Sequence, residues 1–237
     1  MSSQFKITTV QEAVSTNLLM QEWEKQSKLH HYDVLRAVNQ IGGIGQSGNY
    51  WESEAGKNLT FSLFLESPEL ASSEIFQLNK IISLAIFDYL LSRDIANVKI
   101  KWPNDIYVYH KKIGGILTHN SFLGNSWQNA IVGIGLNVNQ LVFKSDAPNP
   151  ISMKQISFID YTLEEELNFI LAATAIRIEQ FFSGNYSKIN VQYLENLFGY
   201  GETRAFKTAN GQFKGMIKGV DNYGMLLIEH ENKTISA

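Results

Sequence analysis

Lys101-Trp102-Pro103-Asn104-Asp105 is the most unusual run in the chain. It lies between two apolar segments, Val98-Lys99-Ile100 and Ile106-Tyr107-Val108. Pro103 has no N–H to give to a sheet ladder, so strand pairing must break there. A lysine and an aspartate at such a break can point into one cleft. Lysine supplies a point charge for a phosphate or carboxylate. Aspartate supplies an oxygen ligand for the Mg²⁺ that travels with a nucleotide. The same residues also fit a plain turn with a solvated ion pair. Lys112 follows seven residues after Asp105 and opens the apolar run Ile113-Gly114-Gly115-Ile116-Leu117, where the glycine pair suits close approach of a ligand to the backbone. Next comes Gly133-Ile134-Gly135-Leu136-Asn137-Val138-Asn139, in which the Asn137 amide has both the donor and the acceptor needed to read an adenine edge.

A second feature is glycine-rich. Gly43, Gly45 and Gly48 spell G-x-G-x-x-G. A dinucleotide fold requires a helix to open directly after that loop. Here Asn49-Tyr50-Trp51 and a strand follow instead, so that reading fails. A kinase loop sits between strands, but the chain has no H-R-D or D-F-G. Two readings stay open. One is a hairpin loop; the other is a loop whose backbone N–H groups approach an anion, since no Cβ intervenes. Trp51 can stack on an aromatic ligand or fill the core.

The elements that must position these residues follow from periodicity. Ser15 or Thr16 N-caps a short amphipathic helix. Asp33 to Gln40 reads as a buried strand. Leu59, Phe61, Leu63 and Leu65 alternate as in a strand with one buried face. Ser73 to Ser92 keeps helical spacing through Ile75, Leu78, Ile82, Ala85, Ile86 and Tyr89. Strands are expected over Val98–Lys101, Ile106–Tyr109, Lys112–Phe122 and Gln128–Val138, with a turn at Gly124-Asn125; such short connections imply antiparallel pairing. Residues 140 to 160 read as a loop. Thr162 and Glu165 make a capping-box pattern opening a helix to about Phe182, and another helix is expected around Ile189 to Phe198. After Gly199 three short strands (Thr203–Thr208, Phe213–Val220, Met225–Glu229) are separated by turns at Asn210-Gly211 and Asn222-Tyr223-Gly224. The class is α+β: a mixed, largely antiparallel sheet with helices on one side, followed by a small β unit.

Composition narrows the chemistry. The 237 residues are 44% hydrophobic and 18% charged, which excludes disorder and coiled coil and leaves room for one medium domain with a small one. No cysteine is present, so disulfides, thiolate metal sites and a cysteine nucleophile are excluded. A net charge of −3 gives no electrostatic footprint for nucleic acid. No apolar stretch is long and uninterrupted enough to predict a membrane span, and the N-terminus lacks the pattern of a signal peptide. A cytoplasmic protein is expected.

Taken together, Ser15-Thr16-Asn17, the glycine loop with Trp51, Lys101-Trp102-Pro103-Asn104-Asp105, Lys112-Ile113-Gly114-Gly115-Ile116-Leu117 and the run 133–139 resemble the catalytic domain of biotin protein ligases, in the family's order and spacing. The resemblance covers roughly residues 5 to 237 and is to the form without an N-terminal DNA-binding domain. It implies a class II synthetase-like catalytic domain over 1–188 and a small SH3-like β-barrel over 189–237. It implies formation of biotinyl-5′-AMP from biotin and Mg²⁺-ATP, then transfer of biotin to a lysine of a biotin carboxyl carrier domain, such as that of acetyl-CoA carboxylase. By the same resemblance Ser15, Thr16, Asn17, Gln40, Gly43, Ile44, Gly45, Lys112, Gly114 and Gly115 bind biotin. Gln46, Trp51, Lys101, Asn104 and Asn137 bind ATP. Lys112, Lys101 and Asp105 are catalytic, with Asp105 toward the nucleotide's Mg²⁺. The family often pairs its sheets edge to edge, which would give a homodimer. In one respect the chain departs from the family: Gly43-Ile44-Gly45-Gln46-Ser47-Gly48-Asn49 holds no arginine, where relatives read roughly G-R-G-R-x-G-R. This implies weaker retention of the adenylate. Competing readings are a lipoate or octanoate ligase or transferase of the same superfamily, and a catalytically weak biotin-binding module.

Overall fold

A computed structural model describes residues 4–66, 74–145, 147–184, 186–208 and 211–236. In chain order the elements are β1 (Lys6–Ala13), α1 (Thr16–Lys25), β2 (Asp33–Gln40), β3 (Gly43–Ile44), β4 (Tyr50–Trp51), β5 (Leu59–Glu66), α2 (Ile75–Ser92), β6 (Val98–Lys101), β7 (Asp105–Val108), β8 (Lys111–Leu123), β9 (Ser126–Leu136), α3 (Met153–Ser157), α4 (Leu163–Phe182), α5 (Tyr186–Glu195) and β10 to β13 (Thr203–Thr208, Gly211–Val220, Leu226–His230, Lys233–Ser236). The expected start of α2 at Ser73 and the turn residue Asn210 lie outside the described residues.

Seven strands form the main sheet in the order β1-β2-β5-β9-β8-β7-β6. Only β1 and β2 pair in parallel; the other pairs are antiparallel. The long helices α2 and α4 cover one face. Their Leu78, Ile82, Leu167 and Ile170 join Leu59, Phe61, Leu63 and Leu65 of β5 in one core. By length and composition alone α2 could cross a membrane, yet its 11 buried residues make it the central helix of this core.

The expectation of a single buried face on β5 is corrected here. All of its residues but Glu66 are buried. Phe64 points away from α2 and packs with Met20, Leu35 and Ile131 under α1 on the opposite face. Thr60 and Ser62 are buried there too, so the polar half of the alternation faces protein rather than water. Three further details differ. Thr162 starts α4 without a side-chain capping bond; the acidic first turn, Glu164 to Glu166, complements the helix dipole instead. A true capping box, Ser152 with Gln155, opens the unexpected helix α3 within 140–160. Strands β1 and β13 had no counterpart in the sequence reading. The last four strands form an antiparallel meander, β10-β11-β12-β13.

Candidate active site

A cleft of about 500 Å³ opens between α1, the glycine-rich segment and strands β6 to β9. Its neutral end is built by the α1 N-terminus. The Thr16 amide donates to Gln40 Oε1 at 3.0 Å, and the Thr16 hydroxyl approaches the same oxygen at 3.4 Å. Ser62 in turn donates to Thr16 Oγ1 at 2.9 Å. Asn17 donates to the Leu117 carbonyl at 3.0 Å and accepts from Gln21 at 2.7 Å. Ser15 holds the N-cap position but makes no side-chain capping bond, which leaves its hydroxyl to the cleft it lines. These groups are buried, uncharged and already oriented, so they suit a neutral, amide-like ligand whose own polar atoms would be costly to bury unpaired.

The other end is charged. Register across the β6–β7 hairpin sets Lys101 opposite Asp105, and the next pairing sets Asp105 opposite Gly115 and Tyr107 opposite Lys112. Lys112 Nζ lies 2.6 Å from Asp105 Oδ1 and 5.6 Å from the centroid of the Trp51 ring system. Lys101 Nζ donates to the Tyr107 hydroxyl at 3.1 Å. Both ammonium groups line the same cleft. An ion pair as accessible as Lys112–Asp105 contributes at most about 1 kcal/mol to folding, so stability does not explain this cluster. Two cations and one carboxylate at the mouth of a neutral pocket fit a ligand with an anionic end.

A second cavity of about 990 Å³ continues from the first past Trp51, Lys101, Asp105 and Lys112. Its outer wall hangs on Glu52. That carboxylate accepts the Lys144 and Ser145 amides at 2.7 to 3.0 Å and the Gln140 side chain at 3.0 Å. Burial alone would raise its pKa, but these hydrogen bonds hold it below the usual carboxylate range. Between the cavities, Trp51 sits against the cross-strand glycine pair Gly115 and Gly135. A Cβ on Gly135 would fall 2.5 Å from Trp51 Cε2, so only glycine admits the indole there.

Residues 9–137 match the sequence profile of the Biotin/lipoate A/B protein ligase family. The chain belongs to that family. Among relatives of this ligase-family chain, the Bifunctional ligase/repressor BirA of Bacillus spizizenii is 29% identical over 198 residues, 81% of this chain. The Biotin--[acetyl-CoA-carboxylase] ligase of Paracoccus denitrificans is 28% identical, over 81% of this chain and 82% of its own length. The chain spans 60% of the length of the Bacillus relatives. A solved structure of the biotin protein ligase from Aquifex aeolicus in complex with biotin and ATP superposes with a TM-score of 0.82 at 24% identity, over 98% of this chain and 95% of that one. The fold, C-terminal sheet included, is therefore the biotin protein ligase fold.

Within this ligase-family chain the cleft brings together Ser15, Thr16, Asn17, Gln40, Ile44, Gly45, Gln46, Trp51, Lys101, Asn104, Asp105, Lys112 and Gly115. Two residues expected at the site stand elsewhere. Gly43 lines neither cavity; a Cβ there would meet the Trp51 carbonyl at 2.5 Å and Gln40 Nε2 at 2.8 Å, so it backs the pocket rather than facing it. Gly114 turns to the core, against Leu136 and Ile106. Asn137 lines the second cavity, gives its amide to the Ile151 carbonyl at 3.1 Å and keeps a buried, unpartnered Oδ1. Sequence reasoning missed Ser62, Glu52 and the Gly135 seat. The i, i+2 glycines Gly133 and Gly135 on one strand face were the available signal for the last. Among the described residues no three metal-ligating side chains come together, and Asp105 is already engaged by Lys112. This donor set does not make a resident divalent-metal site.

Proposed function

We propose that the chain is an ATP-dependent biotin ligase acting on a carrier-protein lysine in the cytoplasm. One observation carries this reading: a buried neutral hydrogen-bonding pocket and two lysine side chains share one cleft. Biotin has that polarity, with an uncharged ureido head and a carboxylate tail. Ser15, Thr16 and Gln40 would pair with the ureido ring, backed by Asn17. The valeryl carboxylate would then reach Lys112. Names of the relatives favour biotin over lipoate.

In the first step a biotin carboxylate oxygen attacks the α-phosphorus of ATP. The bond from that phosphorus to the β-bridging oxygen breaks, and pyrophosphate leaves with its Mg²⁺. Two anions must meet, so Lys112 and Lys101 offset their repulsion and the charge that builds in the transition state. Magnesium belongs to the nucleotide; Asp105, the carboxylate that lines both cavities, would face it. The second cavity takes the nucleoside: Trp51 offers a ring face to adenine, and Asn137, whose buried Oδ1 has no partner, lines the same cavity. In the second step the neutral carrier lysine attacks the biotinyl carbonyl, the carbonyl–oxygen bond to phosphate breaks, AMP departs and the amide loses a proton. The division into a catalytic part (1–188) and a small β part (189–237) belongs to the same proposal.

Biotin-dependent ATP–pyrophosphate exchange tests the first step, and labelled biotin on a carrier domain tests the second. Exchange that responds to lipoate and not to biotin assigns the chain to the sibling activity. Biotin binding without exchange reduces it to a binding module.

A further inference from the structure

The turn that carries Lys101 and Asp105 is held from a distance. Trp102 Nε1 donates to the carbonyl of Gly224 at 2.7 Å, across 122 residues of sequence. Gly224 belongs to the β11–β12 turn of the C-terminal sheet. That turn is internally fixed: Asp221 Oδ1 accepts the Tyr223 and Met225 amides, both at 2.9 Å, and Asp221 N donates to the Met225 carbonyl at 3.0 Å. Gly224 has φ +89°, and a Cβ there would lie 2.5 Å from the Phe76 ring, so the turn is pressed onto α2 where only glycine fits. One helical turn along, the buried Lys80 donates to Asn190 of α5 at 2.6 Å between the rings of Phe76 and Tyr193.

A second tie grips the same hairpin at its other flank. Ile100 N donates to the Asn196 carbonyl at 2.9 Å, and Phe198 N donates to the Ile100 carbonyl at 2.7 Å. The segment leading into the C-terminal sheet thus pairs with the residue just before Lys101. Asn104 closes the turn from within, giving its side-chain amide to the Ile116 carbonyl at 2.7 Å. Of these ties, only the indole N–H reaches the C-terminal sheet itself.

We infer that the C-terminal sheet positions the Lys101–Asp105 turn for the nucleotide through the Trp102–Gly224 hydrogen bond, which makes Trp102 a positioning residue of adenylate formation. This rests on the ligase reading above. Trp102 lines the cleft beside Lys101, but its indole N–H is taken up by Gly224, so its effect on the nucleotide is assigned to the placement of Lys101. A lost neutral hydrogen bond translates into a change of roughly three- to tenfold.

The test uses the full chain. Trp102→Phe keeps an aromatic ring and removes the donor. Expected are three- to tenfold weaker ATP binding, a similar loss of biotin-dependent exchange, and unchanged affinity for biotin alone. The same substitution on a Lys101→Ala background should have no further effect on ATP binding, because its action runs through Lys101. Equal losses on both backgrounds would mean a merely structural role and would overturn the inference, as would a Trp102→Phe chain that binds ATP like the parent. A parent chain that binds ATP but shows no exchange with biotin overturns the ligase reading instead, and the binding comparison still decides the role of Trp102. A parent that binds no ATP overturns both.

Discussion

Two segments wall the same cleft and are built in opposite ways. The turn 101–105 is tied to β8 through Asn104 and to the C-terminal sheet through Trp102. The glycine-rich segment 42–49 is tied to the rest of the protein at its root, where Gly42 N donates to the Val14 carbonyl at 2.8 Å, and at the Gly43–Trp51 pairing. Its tip bonds to itself: Gly45 N to the Asn49 carbonyl at 2.6 Å, and the Asn49 side chain to the Gln46 carbonyl at 2.9 Å. The side chains of Ile44, Gln46, Asn49 and Tyr50 are exposed. Segments with little buried apolar surface and self-contained hydrogen bonds open most easily. Charge follows this division: Lys101 sits in the tied turn and Lys112 on β8, the strand to which Asn104 ties that turn, while the loose wall carries none. Electrostatic help for an anionic transition state is effective when it is held in place beforehand. The comparison therefore assigns chemistry to one wall and coverage to the other.

The largest effect should come from removing charge on the tied wall. Lys112→Ala is expected to lower biotin-dependent exchange by about 10²–10³-fold, the usual result of deleting one preorganised stabilising group. The melting temperature should move little, because the Asp105–Lys112 pair is accessible and weak. Exchange kinetics and calorimetry on one preparation separate the two. A variant that keeps its exchange rate would break the assignment of chemistry to this wall.

The clamp behind that wall has an electrostatic signature. Lys80 is buried beside Tyr193 and Asn190, and burial lowers its pKa from 10.5 to about 8, against a pull upward from Asp221. The native state therefore gives up this proton near pH 8, while the unfolded chain keeps it to about 10.5. Between those values the unfolded state binds more protons, so stability rises with pH. Tyr193, the titratable ring in contact, has its own pKa pushed up by burial and stays neutral over this range. Relative to Lys80→Met, the parent chain should gain about 2 kcal/mol between pH 7 and pH 10. Urea unfolding at the two pH values measures it; parallel pH profiles for the two chains would refute a strained, charged lysine in the clamp.

Much of this division could be read in the sequence, and the reason is physical. Lys101-Trp102-Pro103-Asn104-Asp105 shows itself because a proline and two opposite charges interrupt an apolar hairpin, a local signal. The alternation of β5 and the spacing of α2 are local as well. What escaped was either featureless or remote. β1 is exposed along most of its length, so no buried face stands out in Lys-Ile-Thr-Thr-Val-Gln-Glu-Ala. Ser62 reads as the polar half of an alternating strand, and only the fold brings α1 over it. Glu52 acts on amides 92 and 93 residues away, and Trp102 on a carbonyl 122 residues away; no spacing rule announces such bonds. The missing arginines of the glycine loop were visible as an absence, but that their wall is also the loosely tied one was not.

That absence gives the next prediction. Ile44→Arg places a cation on the loose wall at a position that lines the cleft. A charge-assisted contact to the intermediate is worth about 1.5–3 kcal/mol when fully formed. At an exposed position the low end applies, about tenfold slower loss of pre-formed biotinyl-AMP. Following hydrolysis of the preloaded intermediate checks it. An unchanged rate would mean that the loose wall does not reach the adenylate, which sharpens the contrast between the walls to an absolute one.

The smallest effect concerns the place where the walls meet. Trp51 ends the loose segment, yet its indole is seated against Gly115 and Gly135, on strands that continue into the tied wall. Gly135→Ala puts a methyl 2.5 to 2.8 Å from three indole atoms, and the strand backbone needs no unusual φ, so the indole must give way rather than the sheet. Overpacking of this kind costs about 1–3 kcal/mol where neighbours cannot move. Here the neighbour is a side chain at the edge of a cavity, and about fivefold weaker ATP binding is expected, at the lower end of that range. The affinity for biotin, assigned in the proposed function to Thr16 and Gln40 on the other side of the cleft, should stay within twofold. Paired titrations of the two ligands test this directly. If both affinities fall together, the indole seat serves the whole cleft, and the two walls are mechanically one.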